Sequence, residues 1–479
     1  MPGKAPGKGP APHRPHRPPR PQRARQGQGL RVSPARRAAL EVGTQVRLRK
    51  AFTSEVIAAR IEGAGLSPSD RAFATRLALG VTSAQGMLDE MIGRHLRAPG
   101  GLDPAVRDAL RISCYEILFL EKAGYAAVDQ GVELVRCVAP KAAGLANAVL
   151  RKIAHERPAF PFGDPESDIE ALARLCAFPT WLAASLVEAW GHGDARAFME
   201  ASNEPAPLFI AVNSLKASEQ EVEEAFGAVG TTLARVSLSG EPVPGCFLLE
   251  EGALLQRAGI KGLFDEGKIL VSDAASQFIA AHILPDTPPA GMLEIGSGRG
   301  TKTILLQNAA LRRYKSQLPL EALDAHRFKA DILKERAATY GLRLDRTHVA
   351  DARRQLEGTF ERESFGFVFV DAPCSGLGTL RRHPEIRWRI QEADIPALAD
   401  AGLGMLEQAA GLVRPGGHLA YSTCTVTREE NQGVIARFLG STAGKCFRLE
   451  PLVGRPSFAT RVSPGSSDAH FAVRMARIG

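Results

Sequence analysis

Long apolar runs are missing from this 479-residue sequence. A membrane-spanning helix needs about 20 predominantly apolar residues, and no run approaches that length. The N-terminal residues also lack the apolar stretch of a secretory signal. We therefore expect no membrane association and a cytoplasmic location.

Cysteine is sparse as well, with seven residues and no short repeating spacing between them. This argues against a disulfide framework and against a zinc site, whose ligands are usually closely spaced. We expect no bound metal and free thiols in a reducing compartment. The apolar content of 44% and charged content of 23% are typical of a globular protein, and the length predicts two or three domains.

Acidic residues are absent from residues 1–40, which carry ten Lys or Arg. The net charge of +8 therefore leaves −2 for the rest of the chain. Residues 1–33 are rich in Pro, Arg and Gly, which predicts a disordered basic tail. Such a tail either binds a polyanion such as RNA or is a solvated extension, and both interpretations stay open.

Four regions follow the tail. Apolar residues at helical spacing predict an all-helical domain, and a proline-rich linker with further helices comes next. A small α+β segment precedes a region where strands and helices alternate, which predicts an α/β fold with a parallel sheet. The predicted boundaries are 34–155 for the helical domain, 156–200 for the linker and helices, 201–285 for the α+β segment and 286–479 for the α/β domain.

Two cysteines lie in distinctive frames. Cys374 lies in Phe-Val-Asp-Ala-Pro-Cys-Ser-Gly-Leu-Gly (369–378), and Cys424 lies in Leu-Ala-Tyr-Ser-Thr-Cys-Thr-Val (419–426). Each follows an apolar, strand-like run, which predicts that both thiols lie at the ligand-binding edge of the sheet. We expect the other cysteines to be small buried residues. These are Cys114, Cys137, Cys176, Cys246 and Cys446.

A thiol pair at such an edge suits methylation of a pyrimidine at carbon 5. Carbon 5 of cytosine is a weak nucleophile, and a thiolate added to carbon 6 makes it enamine-like. A free thiol with a pKa of about 8.5 is only a few per cent thiolate at neutral pH, so nearby positive charge must help. Asp371 ends the fourth strand and is placed to hydrogen-bond the cytosine edge. Candidates for the positive charge are Lys302, Arg381, Arg382 and His383.

A glycine-rich turn, Glu-Ile-Gly-Ser-Gly-Arg-Gly-Thr-Lys-Thr (294–303), follows the first strand of the α/β region. Alternating glycines let the backbone approach a ligand closely. The spacing resembles the first motif of Rossmann-like methyltransferases that bind S-adenosylmethionine. The resemblance implies a cofactor site built from Gly296, Ser297, Gly298, Arg299, Gly300, Thr301 and Lys302.

Carboxylates at the next strand ends extend this site. Asp324 lies 24 residues beyond Gly300, where a carboxylate can bind a ribose hydroxyl. Asp351 follows the third strand and is placed to accept from an adenine amino group, and we expect Asp371 to border the cofactor as well. The alternative, that Asp324 and Asp351 are helix N-caps, stays open.

The two cysteine frames, with Arg-Arg-His-Pro-Glu-Ile-Arg-Trp (381–388) and Thr-Arg-Glu-Glu-Asn (427–431), closely resemble the NOL1/NOP2/Sun family of RNA cytosine-carbon-5 methyltransferases. The resemblance implies that Cys424 is the nucleophile and that Cys374 helps to release the product. Helical segments 69–74, 110–120 and 146–151 resemble a NusB-type RNA-binding domain. This domain pairing is similar to the bacterial RsmB (Sun, Fmu) branch of the family.

The resemblance implies a Rossmann-like class I methyltransferase domain behind an all-α NusB-like domain and a small α+β segment. It further implies S-adenosylmethionine as methyl donor and a cytosine of small-subunit (16S) ribosomal RNA as substrate. Transfer RNA, another ribosomal site, or a non-catalytic RNA-binding role remain alternatives. The chain departs from the family at Arg299, usually proline, at Ala211, often arginine, and at His470, usually phenylalanine. Trp388 is predicted to be partly buried.

Overall fold

The computed structural model describes residue 3 and residues 32–120, 124–354, 356 and 358–478. The predicted basic tail therefore lies outside the described residues, except at positions 3, 32 and 33. Within these ranges no single helix is long and apolar enough to cross a membrane, although the consecutive helices 169–176 and 180–190, bent by 109°, pass that test as a pair.

The N-terminal region is all-helical, as the apolar spacing predicts. Leu77, Leu110 and Leu134 are fully buried in its core. The side chains of Ser33 and Asp103 cap the N-termini of the first and fifth helices, and a proline follows each cap. The helices are α1 (Pro34–Arg49), α2 (Thr53–Arg60), α3 (Pro68–Ser83), α4 (Gln85–Gly93), α5 (Pro104–Phe119), α6 (Gly124–Val138) and α7 (Ala143–Glu156).

A second helical group and a small sheet follow. The group comprises α8 (Ile169–Cys176), α9 (Thr180–Trp190) and α10 (His192–Ala201). The antiparallel sheet has the order β2-β3-β1-β4. Its elements are β1 (Leu208–Val212), α11 (Glu219–Ala228), β2 (Ala234–Leu238), β3 (Glu241–Leu249), α12 (Ala258–Asp265) and β4 (Ile269–Val271). Strand β2 is an edge strand with no buried residue, so its apolar signal in the sequence is weak.

The C-terminal region is built on a mixed sheet of order β10-β12-β9-β8-β5-β6-β7, with β11 paired to β12. Strands β5 to β9 pair in parallel, as predicted, and β12 and β10 close one side in antiparallel fashion. The strands are β5 (Met292–Ile295), β6 (Leu320–Asp324), β7 (Arg346–Val349), β8 (Phe365–Asp371), β9 (Val413–Thr423), β10 (Phe447–Glu450), β11 (Phe458–Ala459) and β12 (Phe471–Arg477). The helices are α13 (Ala274–Ile283), α14 (Thr301–Tyr314), α15 (Arg327–Tyr340), α16 (Ile386–Arg389), α17 (Asp394–Ala410) and α18 (Val434–Gly440).

Two of the five cysteines predicted to be buried are exposed, namely Cys137 and Cys446. Cys137 lies near the end of α6 and falls outside the buried stripe of that helix. Cys446 ends a short turn before β10, at the edge of the sheet. The prediction was wrong at both positions because cysteine is small enough to be tolerated on either side of an element.

Candidate active site

The two framed cysteines leave the sheet side by side. Strands β8 and β9 pair in parallel, with Asp371 opposite Ser422. Cys374 follows β8 and Cys424 follows β9, so their loops share the carboxyl edge of the sheet. The two Sγ atoms are 3.4 Å apart. The expectation that both thiols lie at one edge is confirmed.

The two thiols have opposite pKa shifts. The hydrogen bond with Cys374 lowers the pKa of Cys424, and the charge of Lys302 lowers it further against the effect of burial. The same hydrogen bond and burial raise the pKa of Cys374 well above its usual value. Cys424 is therefore the sulfur that ionises first, and once it is a thiolate Cys374 is the donor in the hydrogen bond between them.

A lysine and a carboxylate lie beside the sulfurs. Lys302 Nζ donates to both carboxylate oxygens of Asp371 at 2.7 Å, and Ser422 Oγ donates to one of them at 2.9 Å. Burial lowers the pKa of Lys302, but Asp371 and Cys424 outweigh burial and the net shift is upward. Lys302 therefore stays charged beside Cys424.

Glu430 connects the two cysteine loops. Its carboxylate accepts from the backbone N–H and hydroxyl of Ser375 at 2.6 and 2.7 Å, and from the hydroxyl of Thr427 at 2.6 Å. The hydroxyls of Ser375 and Thr425, which directly follow the two cysteines, are 2.6 Å apart. Only 1% of Glu430 is exposed. The sequence assigned it no role, since Glu429 beside it looks the same and is exposed.

The glycine turn folds tightly against the ends of β6 and β8. At Gly296 a Cβ would lie 2.2 Å from the carbonyl oxygen of Asp371, and at Gly300 it would lie 2.3 Å from Leu333. Both residues have φ above +80°, so glycine is required. At Gly298, with φ +57°, the nearest atom would be 3.9 Å away. A Cβ at Gly298 would therefore meet only an ordinary van der Waals contact, which leaves room for a ligand lying against the turn.

Asp324 and Asp351 lie at neighbouring strand ends but have different partners. Asp324 is buried and accepts from the N–H of Gly298 at 3.0 Å and of His326 at 2.8 Å. His326, not Asp324, is the N-cap of α15. Asp351 instead binds the guanidinium of Arg353 at 2.9 and 2.7 Å, which lowers its pKa to about 2. Asp324 therefore joins the glycine turn, whereas Asp351 is engaged on its own loop.

The rest of the turn is held by backbone and side-chain contacts. The N–H of Ser297 donates to Leu323 O at 3.1 Å, and Thr301 Oγ1 accepts from Arg336 at 3.1 Å. Arg299 is exposed and pairs with Glu55 of α2 at 3.0 Å. Arg299, which stands where the family usually has proline, thus joins the glycine turn to the helical domain.

Three of the four candidate cations interact elsewhere. Arg381 and Arg382 bind the buried carboxylate of Asp468 at 3.2 and 2.6 Å, and the ring of His383 packs on Phe52. Lys302 is the candidate whose charge acts on Cys424. The sequence could not separate these residues because their partners lie far away along the chain.

Glu294, the first residue of the glycine-rich motif, is completely buried. Thr303 Oγ1 donates to one of its carboxyl oxygens at 2.5 Å, and the other oxygen has no hydrogen-bond partner. Burial raises its pKa to about 8. Glu294 is therefore largely protonated at neutral pH.

The chain matches three family models. Residues 281–455 match 16S rRNA methyltransferase RsmB/F, residues 33–155 match the NusB family, and residues 178–244 match the ferredoxin-like domain of RsmF/B-like methyltransferases. The fold and the site thus define a methyltransferase domain behind a NusB domain.

Relatives cover most of the chain. The probable ribosomal RNA small subunit methyltransferase B of Bacillus subtilis (strain 168) is 30% identical over 415 residues, which is 86% of this chain and 89% of the relative. Ribosomal RNA small subunit methyltransferase B of Thermus thermophilus is 34% identical over 388 residues, which is 80% of this chain and 81% of the relative. The chain belongs to the ribosomal RNA small subunit methyltransferase B family.

Solved structures share the fold. The crystal structure of PH0851 superposes with a TM-score of 0.75 at 24% identity and covers 94% of this chain and 100% of its own. NSun6 from Pyrococcus horikoshii superposes with a TM-score of 0.52 at 16% identity and covers 64% of this chain and 100% of its own.

Proposed function

We propose that the protein uses S-adenosylmethionine to methylate carbon 5 of a cytosine in small-subunit ribosomal RNA, through a covalent adduct with Cys424. The observation that carries this proposal is the pair of sulfurs 3.4 Å apart with opposite pKa shifts. The names of the relatives from B. subtilis and T. thermophilus support the ribosomal substrate.

The glycine turn is the proposed cofactor site. The room beside Gly298 fits a ligand against the turn, and the buried carboxylate of Asp324 accepts from the N–H of this glycine. Gly296, Ser297, Gly298, Arg299, Gly300, Thr301 and Lys302, with Asp324, Asp351 and Asp371, are the proposed cofactor residues. When bound, S-adenosylmethionine supplies the electrophilic methyl group that carbon 5 takes up.

Cys424 is the proposed nucleophile. Its lowered pKa and the nearby charge of Lys302 favour the thiolate, which adds to carbon 6 and forms a carbon–sulfur bond. Carbon 5 thereby gains the electron density that it needs. After methylation a base takes the proton of carbon 5, the electron pair of that carbon–hydrogen bond restores the ring double bond, and the electron pair of the carbon–sulfur bond leaves with Cys424 as its thiolate.

Cys374 and Asp371 have separate proposed roles. Cys374 lies beside the attacking sulfur, so it is placed to assist release when the adduct breaks down. Asp371 is held by Lys302 and Ser422, which orients its carboxylate to accept from the amino edge of the cytosine. We also propose that residues 34–155 form an RNA-binding domain, of which only part of the surface contacts RNA, and that residues 286–479 form the catalytic domain.

Two measurements test this function. Purified protein with tritiated S-adenosylmethionine should label 16S ribosomal RNA transcripts and produce 5-methylcytosine. Bisulfite sequencing of total RNA from cells lacking the gene should show one small-subunit cytosine without its methyl group. Loss in transfer RNA alone would contradict the ribosomal substrate, and an unchanged methylation map would contradict the reaction.

A further inference from the structure

Residues 49–52, which comprise the last residue of α1 and the turn before α2 and are called the α1–α2 turn, lie at the border between the helical and catalytic domains. The carbonyl oxygens of Lys50 and Ala51 accept from the guanidinium of Arg389 at 3.2 and 2.7 Å. The ring of Phe52 lies 4.6 Å from the ring of His383. His383 and Arg389 belong to the segment that follows Cys374. The α1–α2 turn therefore contacts the continuation of a cysteine loop.

The same edge of the helical domain also reaches the glycine turn. Glu55, in the first turn of α2, pairs with Arg299 at 3.0 Å. Residues 49–55 thus touch two of the segments that contribute to the candidate active site, the glycine turn and the continuation of the Cys374 loop.

Buried contacts fix this edge in place. The carboxylate of Glu385 accepts from the N–H and the hydroxyl of Thr53, both at 3.1 Å. The indole N–H of Trp388 donates to Ser83 O at 2.8 Å, and its ring packs so closely on Gly86 that a Cβ there would lie 2.2 Å away. Trp388 is half-buried, as predicted, and serves the domain contact. The α1–α2 turn is therefore held at a set position relative to Cys424.

The turn carries positive charge that forms no ion pair. Within the described ranges, Arg49 and Lys50 are exposed and have no acidic partner, and Arg389 donates to carbonyl oxygens instead of a carboxylate. Lys50 and Arg389 border the same cavity of about 180 Å³ between the domains, which Asp108 and Glu385 also line. Of the neighbouring acids, Glu55 pairs with Arg299, Asp108 pairs with Arg47 and Arg111, and Glu385 accepts from Thr53.

An exposed aromatic ring lies among these charges. Phe52 is 37% exposed, and the guanidinium of Arg389 lies 5.9 Å from its ring centre. Cations that follow a backbone beside an aromatic face are typical of single-stranded nucleic acid binding, because phosphates meet the cations and bases stack on the ring. If Phe52 were a buried core residue, neither its ring face nor the neighbouring cations would be accessible to RNA.

We propose that the α1–α2 turn binds the single-stranded RNA next to the target cytosine. Arg49, Lys50 and Arg389 contact phosphates, and Phe52 stacks on a base. This inference rests on the proposed function and adds to it the position at which the helical domain holds the substrate. It predicts that the turn acts on RNA affinity and leaves the chemical step unchanged.

The charge test compares two matched double variants. Arg49→Gln/Lys50→Gln removes the two cations of the turn, and Arg151→Gln/Lys152→Gln removes two adjacent exposed cations of α7, which packs on α4, α5 and α6. With 16S ribosomal RNA transcripts, the first should raise KM about tenfold, leave kcat unchanged and reduce the slope of log affinity against log salt by roughly 1.4. The second should leave all three values close to wild type.

The stacking test uses Phe52→Ala with Phe52→Tyr as control. Phe52→Ala should raise KM for RNA about tenfold even at high salt, and Phe52→Tyr should retain affinity because it keeps the ring face. Thermal melting and S-adenosylmethionine binding verify that each variant is folded.

Equal KM values for the α1–α2 turn and α7 variants, or a fall in kcat at constant KM, would overturn the inference. If instead the wild-type protein formed no 5-methylcytosine in any RNA, the proposed function itself would fail. These two failures are therefore distinguishable.

Discussion

The two cysteine loops begin from equivalent places and end in different electrostatic environments. Both follow adjacent parallel strands, and their sulfurs are in contact. The hydrogen bond between the two thiols lowers the pKa of Cys424 and raises that of Cys374, the charge of Lys302 adds to the first shift, and burial and the carboxylate of Glu430 add to the second. Identical side chains can therefore take the roles of nucleophile and proton-holding partner when a shared hydrogen bond and their surroundings shift their pKa values in opposite directions.

The largest expected effect comes from deleting each sulfur in turn. Cys424→Ala should reduce turnover by at least about four orders of magnitude, because no other group replaces the nucleophile. Cys374→Ala should also turn over slowly, but it should still attack the base and transfer one methyl group. Single-turnover assays with tritiated S-adenosylmethionine separate the two, and equal single-turnover rates would remove the distinction between the loops.

Removal of the Lys302 charge should narrow the difference in pKa between Cys424 and Cys374. Lys302→Gln deletes the charge that lowers the pKa of Cys424, so its thiolate fraction at pH 7 should fall about tenfold. The rate of iodoacetamide alkylation of Cys424, followed by mass spectrometry across pH, measures this change. Lys334→Gln, a half-exposed lysine of α15, is the matched control and should leave the profile unchanged.

Neutralising the carboxylate between the loops should have a smaller effect. Glu430→Gln removes a negative charge that raises the pKa of Cys374 and disturbs the acceptor of the Ser375 N–H. We expect kcat to fall about tenfold and the alkylation profile of the pair to shift, with KM for RNA nearly unchanged. Glu429→Gln, at the exposed neighbour, should change none of these. A loss of thermal stability without a shifted profile would argue for a purely structural role.

The smallest expected effect on catalysis comes from Glu294, which belongs to the glycine-rich motif and to neither cysteine loop. Its pKa rises from 4.5 unfolded to about 8 folded, so the unfolded state releases its proton first as pH increases. Stability should therefore decrease by about 1.4 kcal/mol per pH unit between those values, relative to Glu294→Gln. Urea unfolding at pH 5, 6, 7 and 8 measures the difference, and parallel pH profiles would contradict the raised pKa.

The sequence predicted which residues lie at the carboxyl edge of the sheet better than it predicted the partners of their side chains. Parallel strands place their carboxyl ends together, so Asp324, Asp371 and the two cysteines could be assigned to one edge before the structure. The same logic did not reveal that Asp351 binds Arg353, because that pairing depends on the loop conformation after β7.

Long-range partners were the part that could not be predicted. Arg381 and Arg382 look like candidates to activate a thiol, but they bind Asp468, more than 80 residues away along the chain. Glu429 and Glu430 are adjacent residues of the same type, so the sequence does not distinguish them. Only the packing of the π-helical turn Glu429–Gly433 decides which of the two is buried. Such assignments depend on tertiary contacts that leave no periodic signal.

The central claim is that Cys424 attacks and Cys374 assists release. Incubation of each variant with S-adenosylmethionine and 16S ribosomal RNA, followed by denaturing gels and peptide mapping, tests it most directly. We predict that Cys374→Ala accumulates a stable protein–RNA adduct mapped to Cys424 and that Cys424→Ala forms none. An adduct in Cys424→Ala, mapped to Cys374, would contradict the account.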